Sequence, residues 1–179
     1  MKTKIFKSGL IVLLSIFSFA GFGQEARKIY DPSLDGMKQI NAAVAAAKAS
    51  GKHVLIQYGG NWCPWCIKFD GFSKADPEIS KMIADNYIPV KLNYSPENKN
   101  SAANEYLGYP SRFGFPVFII VNGKGKVIHI QDSGLLEEGE GYNQIKVVGF
   151  LRNWTASAIT LPYAIAPAKT KAEVEPVRK

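Results

Sequence analysis

Cysteine is scarce in this 179-residue chain: it has two, Cys63 and Cys66. A cysteine-rich framework of the kind that staples small secreted domains is therefore excluded. A bridge across so short a loop would also constrain the unfolded chain weakly, because the entropic gain grows with loop length. Histidine is equally rare, at His53 and His129. Structural zinc needs four ligands, commonly two close pairs, and these histidines lie far apart in expected strands without paired spacing. A cysteine hydrolase would need a histidine base against Cys63, whereas the adjacent Cys66 makes redox chemistry simpler. No metal or bound cofactor is expected. Runs of lysine and arginine are absent too; Arg152, Arg178 and Lys179 are scattered, which argues against a nucleic-acid partner.

Long apolar runs are limited to one, residues 9–22, preceded by Lys2, Lys4 and Lys7, with small residues towards and just past its end at Ala20, Gly21 and Gly23. It falls short of the roughly 20 apolar residues of a membrane span. The layout is that of a secretory signal peptide over residues 1–23, cleaved after Gly23 to leave Gln24 first. No cysteine stands at the cleavage point, so a lipoprotein is not expected. Removing the three lysines lowers the net charge from +7 to +4, a mild bias that suits solubility. Export, to the periplasm if the host is Gram-negative and otherwise to the exterior, would take the cysteines into an oxidising compartment.

What is present suits one domain, since roughly 150 residues can bury a core without a disulfide. Residues 24–34 read as an N-terminal extension, 35–160 as the domain, and 161–179 as a disordered tail without apolar periodicity. Residues 34–50 predict a helix with Met37, Ile40, Val44 and Ala47 on one face, stopped by Gly51. A buried strand follows over 53–58. Pro64 opens a second helix, and Asp76 with Pro77 caps and opens a third to about Asn86. Strands are predicted over 87–94, 116–121 and 127–131, the last two joined by a turn at 122–125. A short helix ends near Gly108. One amphipathic helix over 141–158 closes the domain, with Ile145, Val148, Leu151 and Trp154 facing inward. The acidic, glycine-rich stretch 137–142 reads as a solvated loop or part of a substrate rim.

This order, parallel pairing first and an antiparallel hairpin after it, predicts an α/β sandwich with the motif Cys-Pro-Trp-Cys at the carboxyl end of a central strand, where sites form in open sheets. The turn from strand to helix puts Cys63 at the N-cap and Cys66 one turn inside. Free backbone N–H groups and the helix dipole lower a thiol pKa from about 8.5 toward neutrality. The two-residue spacing lets Cys66 reach a mixed disulfide formed at Cys63. Cys63 is thus the expected nucleophile and Cys66 the resolving thiol.

The segments "NWCPWC", "VKLN" and "FGFPVFIIVNGKGKVI" together resemble the thioredoxin superfamily over residues 35–158, and within it exported bacterial disulfide reductases and isomerases. The resemblance implies a central mixed β-sheet flanked by helices, a cis Pro116 beside the cysteines, and a Phe115 backbone offered to a bound peptide. It matches Lys91 to the family's buried lysine. It also exposes a departure: the family's buried aspartate, which helps deprotonate the second cysteine, is replaced by Gln57, which cannot accept a proton at neutral pH. Resolution would then rely on water, on Lys91 or on the departing thiolate, unless Gln57 simply satisfies buried polar groups. Between the cysteines, Pro64 restricts the turn and Trp65 brings no charge to the thiolate. Trp62 and Trp65 could form an apolar rim for substrate, or Trp62 could serve packing.

The expected function is exported thiol-disulfide exchange, reducing or isomerising protein disulfides. Partners are protein or peptide thiols and disulfides, with a recycling partner such as a membrane electron donor. The rival from another class is a binding module of the same fold whose cysteines stay bridged.

Overall fold

The computed structural model describes residues 28–160. The expected signal peptide and the tail over 161–179 lie outside the described residues. Among those described, no helix is long and apolar enough to cross a membrane.

A four-stranded sheet organises the domain. Its strands are β1 (His53–Gly59), β2 (Tyr87–Asn93), β3 (Val117–Val121) and β4 (Val127–Asp132), in the spatial order β2-β1-β3-β4. β1 runs parallel to β2 and antiparallel to β3, and β3 pairs antiparallel with β4. The sheet is mixed because the β1–β2 link carries two helices while β3 and β4 are joined by the tight turn at 122–125, where Gly125 takes a positive φ of 80°. Every residue of β1 and β3 is buried, as expected of central strands covered on both faces.

Side-chain alternation along β1 divides the core in two. Val54, Ile56 and Tyr58 pack with Ile40, Ala43 and Ala47 of helix α1 (Gly36–Ser50). Leu55, with Phe118 and Ile120 of β3, packs under α2 (Pro64–Ala75), α3 (Pro77–Asn86) and α5 (Gln144–Asn153) through Phe69, Ile79, Phe150 and Leu151. Burying each such side chain contributes about 1.5–3 kcal/mol. The short α4 (Ser101–Tyr106) packs on the α1 side through Ala103.

Local chemistry sets the helix ends. Asp35 caps α1 by accepting the Lys38 N–H, and Gly51 closes it in the left-handed region at φ 69°. Asp76 ends α2 and caps α3 through the Glu78 and Ile79 N–H groups, with Pro77 first in the helix.

Two expectations about the C-terminal part are corrected. The helix over 141–158 is two helices, α5 and α6 (Ala156–Thr160), because Trp154 leaves helical geometry and the Thr155 hydroxyl accepts the Ala158 N–H at 3.1 Å, capping anew. Of its expected inward face, Leu151 is buried and Val148 and Trp154 pack partly buried on the same core, but Val147 and Phe150 complete the face and Ile145 is 80% exposed. The stretch read as a solvated loop pairs as a small hairpin, β5 (Glu137–Glu138) with β6 (Gly141–Tyr142), and buries the Tyr142 ring. His53, in the expected buried strand, is buried with Nδ1 at 3.0 Å from the Trp154 carbonyl oxygen.

Candidate functional site

The end of β1 turns directly into α2 through Gly59, Gly60, Asn61 and Trp62. Two glycines are needed because the turn is crowded. A Cβ on Gly59 would collide with Cys66 Sγ, and one on Gly60 would collide with the Trp62 indole and come within 2.6 Å of the Tyr94 carbonyl oxygen.

Cys63 is the N-cap of α2, and its Sγ accepts the Cys66 backbone N–H at 3.1 Å. Pro64 follows at the first helical position, exposed and without an N–H to leave unpaired. The two cysteines are joined as a disulfide across this first turn, with Cα atoms 5.2 Å apart. The oxidised pair is covered: Cys63 is 3% exposed and Cys66 wholly buried, beneath Ile29, Tyr30, Trp65 and Phe115. The Phe115–Pro116 peptide bond is cis, Pro116 is buried, and Phe115 is half-buried on the disulfide cluster.

The two tryptophans are held in different ways. The Trp62 indole N–H donates to the Tyr94 carbonyl oxygen at 2.7 Å and its ring stands edge-on to Phe115, yet it remains 51% exposed. Trp65 packs edge-on to Tyr142, whose hydroxyl donates to the Trp65 carbonyl at 3.3 Å, and Lys68 lies 4.3 Å from its ring centroid. The hairpin at 137–142 thus supports this side of the site.

Gln57 and Lys91 face each other across β1 and β2 in register. The Gln57 amide donates to the Cys66 carbonyl oxygen at 3.0 Å and to the Tyr30 hydroxyl at 2.8 Å, and its oxygen accepts from Lys91 Nζ at 2.5 Å. Lys91 also pairs with Asp70 at 3.0 Å, and Lys74 reaches the other oxygen of the same carboxylate at 2.9 Å. Asp70, its side chain 1% exposed, sits one turn beyond Cys66 on α2. Burial pushes its pKa up, but Lys74 and Lys91 outweigh that and hold the carboxyl below its ordinary value. Burial raises the Tyr30 phenol far above its ordinary value, so Tyr30 stays neutral.

The buried carboxylate of this site thus comes from α2 rather than from position 57, and it is paired with Lys74 and Lys91. Asp70 was missed by the sequence reading, although its four-residue spacing from Cys66 on an expected helix was a usable signal. Tyr30 and Asn61 were missed as well. Asn61 Oδ1 accepts the N–H groups of Ile29 and Tyr30 at 2.8 and 3.0 Å, and its Nδ2 donates to the Tyr30 carbonyl at 2.8 Å, strapping residues read as an extension over the cysteines. The histidines stand apart: His129 stacks on Trp154 with centroids 4.1 Å apart, and among the described residues no three His, Cys, Asp or Glu side chains gather to hold a metal.

Residues 35–123, about half of the chain, match the family model described as thioredoxin-like. The thiol:disulfide interchange protein DsbD of Escherichia coli strain K12 is 25% identical over 120 residues, which cover 67% of this chain and 18% of that protein. The chain thus spans under a fifth of the length of the curated relatives that it matches. The crystal structure of a disulphide isomerase from Xylella fastidiosa superimposes with a TM-score of 0.63 at 27% identity, covering 71% of this chain and 96% of that one. The chain belongs to the thioredoxin superfamily.

Proposed function

We propose that this protein is an exported thiol-disulfide oxidoreductase that reduces or isomerises protein disulfides through Cys63 and Cys66. The observation that carries the reading is the placement of Cys63 Sγ at the N-cap of α2, bonded to Cys66 and within reach of its backbone N–H. Once the pair is reduced, the same N–H groups and helix dipole stabilise a thiolate at Cys63.

In the reductive direction the Cys63 thiolate attacks one sulfur of a substrate disulfide. A Cys63–substrate bond forms, the substrate S–S bond breaks, and the leaving sulfur takes a proton. The Cys66 thiolate then attacks Cys63 Sγ, forming the bond seen here and releasing the second substrate thiol. Two electrons pass from the dithiol to the substrate, and a redox partner, in this reading a membrane electron donor, must restore them. Isomerisation uses the first step alone, followed by attack of another substrate thiol on the mixed disulfide.

The other residues have supporting parts in this reading. Phe115 and Pro116 form the platform for peptide, with Trp62, Pro64 and Trp65 around it, while Gln57, Lys91 and Asp70 govern the charge beneath Cys66. Export rests on the lysine-led apolar segment over 1–23.

Equilibration of the full chain with glutathione buffers, followed by tryptophan fluorescence, tests the proposal. A potential near or below about −230 mV supports a reductant and one near −180 mV an isomerase. Cys66→Ser should accumulate a mixed disulfide with substrate and Cys63→Ser should form none. A pair that never exchanges would leave the binding-module reading, which the burial of Cys63 favours; partner binding would then survive Cys63→Ser.

A further inference from the structure

Beside the cysteine turn lies a cavity of about 700 Å3 that the exchange steps do not use. Its walls come from three stretches distant in sequence: Pro32, the Asn61–Trp62 turn, and residues 93–97 with Lys99. Trp62, Tyr94, Pro32 and Pro96 make it ring-rich, while Glu97 and Lys99 add one charge of each sign and leave no net preference for a charged ligand.

These walls are set before any ligand arrives. Trp62 is held by its bond to the Tyr94 carbonyl, and Gly60 leaves the room for that approach. Tyr94 stacks on Phe115 with ring centroids 5.0 Å apart. The opposite wall is pinned by Asn98, whose Nδ2 donates to the carbonyl oxygens of Pro32 and Leu34 at 2.9 and 3.1 Å. Asn61 fixes the preceding residues, Ile29 and Tyr30. Binding here needs little ordering of the protein, which favours affinity. A large indole that is locked and still half-exposed has apolar surface to offer.

Position determines the ligand class. Trp62 immediately precedes Cys63, and one residue of extended chain spans about 3.3–3.6 Å. A substrate sulfur bonded to Cys63 therefore brings the residues next to it in its own chain to the edge of this cavity. Aromatic rings pack on such surfaces edge-on or offset, with gain beyond area burial. We propose that the cavity is a selectivity subsite for an aromatic side chain one or two residues from the reactive cysteine of a protein or peptide disulfide. The proposal rests on the exchange reading of Cys63 and Cys66.

Two disulfide peptides that differ in a single Phe or Ser beside the cysteine test it. The full chain, reduced beforehand, should reduce the Phe peptide with a second-order rate constant about tenfold or more above that for the Ser peptide. Trp62→Ala, and Pro96→Asp on the facing wall and away from the cysteine turn, should bring that ratio toward one. Equal rates with the unaltered protein, or a ratio that neither variant moves, would overturn the subsite while leaving exchange intact. Binding is read separately on the Cys63→Ser/Cys66→Ser protein, by titrating tryptophan fluorescence with the same peptides carrying Ser for Cys. Tighter binding of the Phe peptide supports the subsite and equal binding overturns it. Failure of both peptides to exchange with the unaltered protein would count against the proposed function, and the titration would still decide the subsite.

Discussion

At the scale of single residues, the chemistry beneath Cys66 depends on partners that no local pattern announces. Gln57 was visible as a polar residue in a buried strand, and its neighbour Lys91 was visible as a lysine in another. Their union with Asp70 follows from strand register and from the helical turn that places Asp70 beyond Cys66. Asp70→Asn removes the buried negative charge and leaves Lys91 facing Gln57 alone. Because a nearby carboxylate disfavours a thiolate, the variant should lower the pH at which the mixed disulfide resolves. The decay of a Cys63-linked substrate, followed from pH 5 to 9, checks this; an unchanged profile would remove Asp70 from the exchange step. Asn61 offers a structural counterpart. Asn61→Ala deletes three hydrogen bonds to the backbone of Ile29 and Tyr30, at a cost of about 1–3 kcal/mol. Faster amide exchange at those two residues and quicker alkylation of reduced Cys63 should result.

At the scale of elements, caps and breakers were readable because they act within a few residues. Asp76-Pro77 is the clearest case, and the strand-to-helix turn at Cys63 is another. The last helix shows where such reading stops. Its apolar residues admit more than one inward face, and packing against α3 and the sheet selected Val147, Phe150 and Leu151. Leu151→Ala should therefore cost about 2–5 kcal/mol, whereas Ile145→Lys should change stability by about 0.5 kcal/mol or less. Urea unfolding of the two variants separates the faces; a large loss from Ile145→Lys would contradict the assignment. The hairpin at 137–142 was illegible for a related reason. Two-residue strands carry almost no pattern, and Tyr142 is buried because Phe69, Phe72 and Trp65 surround it.

At the scale of the whole molecule, buried titratable groups define a pH window for stability. Folded Asp70 ionises below the ordinary 3.8, so at acid pH the unfolded chain binds more protons. Its contribution is present above that ordinary value and is lost as the pH falls through the folded one. Tyr30, Tyr58, Tyr87 and Tyr142 are all raised above the ordinary 10.0, chiefly by burial. Their contribution is complete below pH 10 and lost as the pH rises further, because the unfolded chain gives up phenolic protons first. Thermal unfolding scanned from pH 2 to 12 should show a plateau that falls at both ends. Persistence of the alkaline plateau in the range where exposed tyrosines ionise would refute the assignment of these four.

The sequence by itself determined the α/β class, the order of the main strands and helices, and the seating of Cys63 at a helix start. Those features rest on periodicity, caps and turn residues, which are local forces. Tertiary structure alone decided that Asp70 pairs with Lys91 beside Gln57, that Tyr30 covers the disulfide, and that Trp62 faces Pro32 and Pro96 across a cavity. Each joins residues through side-chain geometry that emerges once both faces of the sheet are packed, and buried polar groups then take whichever partners the packing brings within reach.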